Sequence, residues 1–216
     1  MQVNMPATGQ AEPMGRPAGV NGADTMRAIR KAAIHRIYRF GYEAMNLRDL
    51  AADVNLSVGS LYNHVPQKQA FLGTLLEGIL QELLLDLQTQ MAGVTDPTQR
   101  LDRFVRFHIE WHTARQEEVF IGNMELRSLS PLQYERVIAL RKAYEAHVHG
   151  ILRDGQKAGQ WTLDDLRVAT LALLSLLTGI SNWYRPDGRL SQARLIRLYQ
   201  RLARQLLGLP LRSTQT

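Results

Sequence analysis

From Asp24 onward, apolar side chains recur at intervals of three and four residues, the spacing that gathers them on one face of an α-helix. Ile29, Ala33, Ile37 and Phe40 fall at i, i+4, i+8 and i+11, while Arg27, Arg30, Lys31 and Arg36 lie largely on other faces. A first helix is therefore expected from Asp24 to Phe40, ended by Gly41. The pattern then shortens. Asn46 is placed to cap a helix over Leu47–Val54, with Asp49 in its first turn giving a weak capping box and complementing the helix dipole. Asn55 suits a left-handed turn, Ser57 caps the next short helix, and Pro66 closes that helix by disfavouring helical geometry at Val65. A long helix follows from Lys68 to Met91, with Leu72, Leu75, Leu76, Ile79, Leu83 and Leu87 in register. Beyond a break at Ala92–Gln99, helices are expected over Leu101–Arg115, Phe120–Leu129, Pro131–Ala158, Leu163–Tyr184 and Ser191–Leu207. No alternating run is long enough for a sheet. The expectation is an all-α chain of about nine helices, with units over residues 24–71 and 72–208, an arm at 1–23 and a tail at 209–216.

Two short helices joined by a tight turn and backed by a third form a helix-turn-helix, whose second helix can enter the DNA major groove. Leu50, Ala51, Val54, Leu56, Leu61 and Val65 supply its small apolar core. The opposite face of the second helix carries Gly59, Ser60, Asn63 and His64. Glycine costs about 1 kcal/mol relative to alanine in an ordinary helix, whereas at a groove it permits close backbone approach. Ser60 and Asn63 can hydrogen-bond base edges or phosphates, and Tyr62 and His64 can reach the sugar-phosphate chain. Asn46, Arg48 and Ser57 complete the candidate contacts. Lys68 opposes the dipole of the helix it opens by roughly 0.3–1 kcal/mol, and a phosphate there would satisfy both the ammonium and the helix terminus. Each residue alone also fits a solvated polar side chain; their gathering on one face favours DNA.

Composition sharpens this reading only modestly. The 216 residues carry a formal charge of +6, which favours a polyanionic partner, and contain no cysteine, which excludes disulfides and fits a reducing cytosol. Residues 1–23, rich in Gly, Pro and small polar types, lack the apolar stretch of a signal peptide and are expected to be a disordered arm. The uncharged run Val168–Tyr184 approaches the length of a membrane span, but Thr170, Ser175, Thr178, Gly179, Ser181 and Asn182 interrupt it, so a buried helix and no membrane association are expected. His108 and His112 stand one helical turn apart, yet Glu110 is not where a zinc protease needs it and no third ligand is fixed, so a packed or pocket-lining pair is favoured over a metal site. His147 and His149 point to different sides of a helix. With no phosphate loop, nucleophile elbow or spaced carboxylates, no catalytic residue, metal or cofactor is expected. Arg194, Arg197, Arg201 and Arg204 have no acidic neighbour after Asp187, which fits a solvated face or contact with anionic groups of a ligand.

The stretch "GYEAMNLRDLAADVNLSVGSLYNHVPQKQAFL" resembles the DNA-binding region of TetR-family transcriptional regulators. The likeness spans about Met26 to Leu76 and rests on the glycine after the first helix, the "DLA" of the second, "S-x-G-S-L-Y-x-H" in the third and the lysine that opens the fourth. Asn46 stands where that family usually has Thr or Ser, Asn55 where it has Gly, and Val65 where it has Phe; each can still do the local work. The resemblance implies a cytoplasmic homodimer that reads a palindromic double-stranded operator, pairs through its last two helices and holds a small-molecule effector among its carboxy-terminal helices. Leu166, Ala169, Leu173, Leu176 and Leu177, with Leu195, Leu198, Leu202 and Leu206, offer apolar surface suited to such pairing. A second segment, "GISNWYRPDGRLS" (Gly179–Ser191), is similar to one in TetR-family repressors that sense acyl-CoA thioesters. On that footing Trp111, His112, Asn123, Tyr144, His147, Asn182 and Trp183 are candidate pocket residues. The expected function is a repressor released by an effector such as an acyl-CoA. Its competitors are a DNA-binding accessory protein without effector, a repressor answering to a hydrophobic drug-like compound, and a metal enzyme built on the histidine pairs.

Overall fold

The computed structural model describes residues 22–209, and among these the regular structure is entirely helical. Most of the expected amino-terminal arm (residues 1–21) and the tail beyond Leu209 lie outside the described residues. Gly22 and Ala23, assigned to that arm, instead open the first helix, α1 (Gly22–Phe40). Gly41 ends it with φ +80, and Asn46 caps α2 (Leu47–Asp53) by accepting a hydrogen bond of 2.8 Å from the Asp49 amide. The capping box is incomplete, since the Asn46 side-chain amide, rather than its backbone, donates to the Asp49 carboxylate. Asn55 adopts φ 53, as its turn requires. Ser57 caps α3, which spans only Val58–Tyr62 because the chain leaves helical geometry before Pro66. Leu50, Ala51, Leu61 and Val65 are buried between these helices, and Arg36 of α1 ties down α2 through Asp49 and Asp53.

The long helix α4 (Lys68–Met91) leaves this three-helix head and runs about 36 Å along the rest of the molecule. Helix α5 (Pro97–Ala114) starts inside the expected break, because Asp96 caps it through the Gln99 amide at 2.8 Å and Pro97 occupies its first turn. Helix α6 (Gln116–Met124) passes into a 3₁₀ turn, Glu125–Ser128. The Ser130 and Gln133 capping box starts α7 (Pro131–Lys157), which crosses α4 closely enough that a Cβ on Gly73 would run into the Gln133 side chain. Trp161 lies against Gly155 of α7 and donates to the Leu152 carbonyl at 2.8 Å. The single helix expected over Leu163–Tyr184 is two, α8 (Leu166–Thr178) and the one-turn α9 (Ile180–Trp183), followed by α10 (Gln192–Leu206).

Two corrections concern these last helices. Helix α8 is not buried in the single chain, for Val168 is 61% and Leu171 43% exposed while Leu173 and Leu177 face inward. Arg204 is not available to a ligand either: it is buried on α10 and donates from Nε to Asp102 of α5 at 3.0 Å, a partner far away in sequence.

Candidate DNA-reading face and ligand cavity

The exposed side of α3 carries Gly59, Tyr62 and Asn63, with Ser60 and His64 half-buried at its margins. A Cβ built on Gly59 meets nothing within 4 Å, so packing within the chain does not require glycine there. Ser57 and Asn46 are occupied as caps, which makes them supports of the face more than free contacts. Ser57 also shares a hydrogen bond of 2.8 Å with the Ser60 hydroxyl. Arg48 is exposed on α2. Lys68 has internal partners: its ammonium donates to the Glu43 carbonyl at 3.1 Å and sits 4.3 Å from the centre of the Tyr42 ring. These contacts offset the unfavourable dipole that made its position notable in the sequence. The amino terminus of α4 itself has no side-chain cap.

Behind the head, helices α4 to α9 enclose a cavity of about 480 Å³. Leu76, Ile79, Leu80 and Leu83 of α4 form one wall, and Leu171 and Leu174 of α8 add to the apolar lining. Of the pocket residues expected from sequence, Trp111, His112, Asn123, Tyr144 and Asn182 line this cavity. His147 and Trp183 do not. His147 stands one turn beyond Tyr144 near Arg100, where burial first and the Arg100 charge second lower its pKa. Trp183 follows Asn182 around the short α9 and is 47% exposed on the outside. None of the α10 arginines reaches the cavity. Its cation is Arg141 of α7, which donates to neutral acceptors, Gly122 O at 3.2 Å and Asn123 Oδ1 at 3.1 Å, while burial lowers its pKa. Sequence reasoning passed over Arg141, although its place three residues before Tyr144 puts both on one helical face.

The polar patch on the wall is electrically neutral. The rings of His108 and His112 stack at 3.6 Å with 9° between their planes. Burial, reinforced by His112, holds the His108 pKa well below its ordinary value. Burial likewise lowers that of His112 from 6.5 to about 4, against a smaller opposing effect of the His108 carbonyl. His108 Nδ1 lies 2.9 Å from the Tyr144 hydroxyl.

One cavity residue also belongs to a charge cluster shared with the head. Glu118 of α6 stands 3.5 Å from Arg30 of α1 and 3.6 Å from Arg115, and Glu82 of α4 pairs with the same two arginines. Burial raises the Glu118 pKa despite these cations, whereas at Glu82 the pairing outweighs burial and the net shift is downward. Several of the contacting atoms, Glu118 Oε2 and Arg30 Nη2 among them, approach without hydrogen-bond geometry. Arg30 also donates a directed hydrogen bond to Glu82, whereas Glu118 is held in the cluster by charge alone. Close by, Tyr42 donates its amide to Glu125 at 3.1 Å, and Tyr38 meets Phe120 edge-on at 5.1 Å, so α1 and α6 are packed as neighbours.

Outside the cavity lining, Val168 of α8 and Leu202 and Leu206 of α10 remain exposed, the last two at 43% each.

Comparison with known proteins agrees with this architecture. Residues 94–207 match the family described as the tetracyclin repressor-like C-terminal domain. The chain is 27% identical over 150 residues to the HTH-type transcriptional repressor KstR2 of Rhodococcus jostii, covering 68% of this chain and 74% of that protein. It superposes on the TetR-family regulator PfmR of Thermus thermophilus with a TM-score of 0.75 at 30% identity, covering 85% of this chain and 99% of the other. The regulator AibR, solved in complex with isovaleryl coenzyme A and operator DNA, shares the fold at a TM-score of 0.72 and 23% identity, over 85% and 98% of the two chains.

Proposed function

This chain belongs to the TetR family of transcriptional regulators, and from that premise we propose that it is a cytoplasmic dimeric repressor, held on a palindromic operator through α3 and released when an acyl-CoA thioester enters the cavity beside α4. The observation that carries the reading is that the helix lining the cavity with Leu76, Ile79 and Leu83 is the same helix that begins at the head. A ligand shifts a DNA-binding equilibrium only by binding the competent and released conformations unequally. Contacts along α4, and through Glu118 to Arg30, give it the means.

The thioester is favoured by the apolar α4 and α8 walls of the cavity and by Arg141, which meets only neutral acceptors although Glu118 and Glu145 also line the cavity, and by the isovaleryl coenzyme A bound to AibR. Its acyl part suits the leucine wall and its polar part the Arg141 side. The head's DNA contacts would come from Gly59, Ser60, Tyr62, Asn63 and His64, flanked by Arg48 and Lys68. A single helix of this length reaches too few base pairs for useful specificity, so two copies are required. The apolar strip on α8 and α10 fits such a dimer interface. A DNA-binding accessory protein without effector is disfavoured by the open cavity. Mapping the genomic sites bound in cells tests the reading: discrete palindromic sites beside genes of acyl-CoA metabolism are expected, and binding without sequence preference would overturn it.

A further inference from the structure

The polar patch on the cavity wall has hydrogen-bonding capacity that the fold does not use. His112 Nδ1 lies 2.9 Å from the carbonyl oxygen of His108. A carbonyl only accepts, so Nδ1 carries the proton, and in a neutral ring Nε2 is then a bare acceptor. His108 and Tyr144 share one hydrogen bond but bring two protons to it, one on the imidazole and one on the phenol. If the phenol donates, the N–H of His108 Nε2 is left over; if the imidazole donates, the O–H of Tyr144 is. Either way one donor is surplus. His108 Nε2 indeed has no partner although the residue is only 1% exposed. His108 Nε2 is closed even to a water molecule, so the surplus donor within a ligand's reach is the Tyr144 hydroxyl, set free when the imidazole donates to it; Tyr144 and His112 both line the cavity together with the leucines of α4.

A ligand group that satisfies this patch must accept one hydrogen bond and donate another. An alkyl chain does neither. A ketone, a thioester carbonyl or an ionised carboxylate can accept, but sets a lone pair against the lone pair of His112 Nε2. A hydroxyl does both. We propose that the buried end of the effector carries a hydroxyl group that docks on His112 and Tyr144, so that the cavity selects hydroxylated ligands over carbonyl-terminated and hydrocarbon ligands of the same length. This rests on the reading of the cavity as the effector site and adds the chemistry of the effector's inner end.

The test uses the full-length protein and three simple probes, 1-octanol, 2-octanone and nonane, titrated by calorimetry. The parent should bind 1-octanol about tenfold more tightly than 2-octanone, as expected when one of two buried partners would otherwise stay unpaired. In His112→Phe, which keeps a flat ring in the stack but no acceptor, that preference should fall to about one. Nitrogen-15 spectra of histidine-labelled parent protein give a readout that needs no variant: the His112 Nε2 resonance should move with 1-octanol and stay put with nonane. Equal binding of alcohol and ketone by the parent, a preference unchanged in His112→Phe, or an Nε2 resonance indifferent to the alcohol would each overturn the proposal. Failure of all three probes to bind would instead remove the cavity reading itself, and the proposal with it.

Discussion

Glu118, in the wall of the cavity, stands 3.5 Å from the guanidinium of Arg30 on the first helix of the head. No other charged side chain links the cavity lining to α1 so directly among the ion pairs of the described residues. Because Glu118 and Arg30 approach without hydrogen-bond alignment, the pair tolerates movement while still favouring one arrangement of α1 against α6. Glu118→Gln keeps the shape and removes the charge. It should leave operator affinity nearly unchanged and reduce the effector's ability to weaken that affinity by about 1 kcal/mol, a substantial part of a typical coupling energy. Operator binding measured with and without saturating acyl-CoA checks this; full release in the variant would show that coupling travels elsewhere.

Gly59 offers a substitution with opposite effects on stability and binding. A methyl group there would meet no atom within 4 Å, so Gly59→Ala should raise the stability of the free protein by up to about 1 kcal/mol, the helix-propensity gain. At the groove the same methyl should weaken operator binding. Asn63→Ala should cost roughly 1–3 kcal/mol of specific binding as well, without the gain in stability. Thermal melts and operator titrations on the same preparations decide it. Unchanged binding by both variants would mean that α3 is not the reading helix.

The buried histidines make stability depend on pH. The native state resists protonation of His112 until about pH 4, whereas the unfolded chain takes up a proton near the ordinary 6.5. Their contribution is therefore complete above pH 6.5 and is lost as the pH falls from there towards 4, to the extent of about 3 kcal/mol for His112 alone. His108, also held neutral by burial, acts in the same direction. Urea midpoints measured from pH 7.5 to 4.5 should fall for the parent and fall less for His112→Phe. Equal slopes for the two proteins would contradict the assignment.

Charges on the exposed strip test dimerisation. Val168→Arg combined with Leu202→Arg should produce a monomer by light scattering with unchanged helical circular dichroism, since both side chains are exposed in the single chain. Losing the second half-site contact should then lower operator affinity by at least about a hundredfold. A dimer that survives both arginines would place the interface elsewhere.

What the sequence made legible follows from the range of each signal. Gly41, Asn46, Asn55, Ser57 and Pro66 act on their own turns, so the order of the head's helices and its core of Leu50, Ala51, Leu61 and Val65 could be read directly. Five of the seven expected pocket residues line one cavity because helical periodicity carries facing information within each helix. The failures are long-range. Arg204 looks unpaired in sequence because Asp102 is a neighbour only after α10 packs on α5. Trp183 follows Asn182 by one position in α9, about 100° further around the helix, so only Asn182 reaches the cavity. Helix α8 would be buried only with a cover for its outward Val168 that one chain does not supply.

Release from a specific operator by an acyl-CoA thioester in the α4 cavity is tested most directly by selecting the preferred site from random duplexes and titrating that complex. Fluorescence anisotropy would follow the titration with acyl-CoA thioesters, the matching free acids and unrelated hydrophobic drugs. A palindromic site is expected, with release by thioesters at concentrations where the acids and drugs have no effect. Release by the drugs alone would contradict the thioester assignment, and a complex that no compound dissociates would contradict control of DNA binding by this cavity.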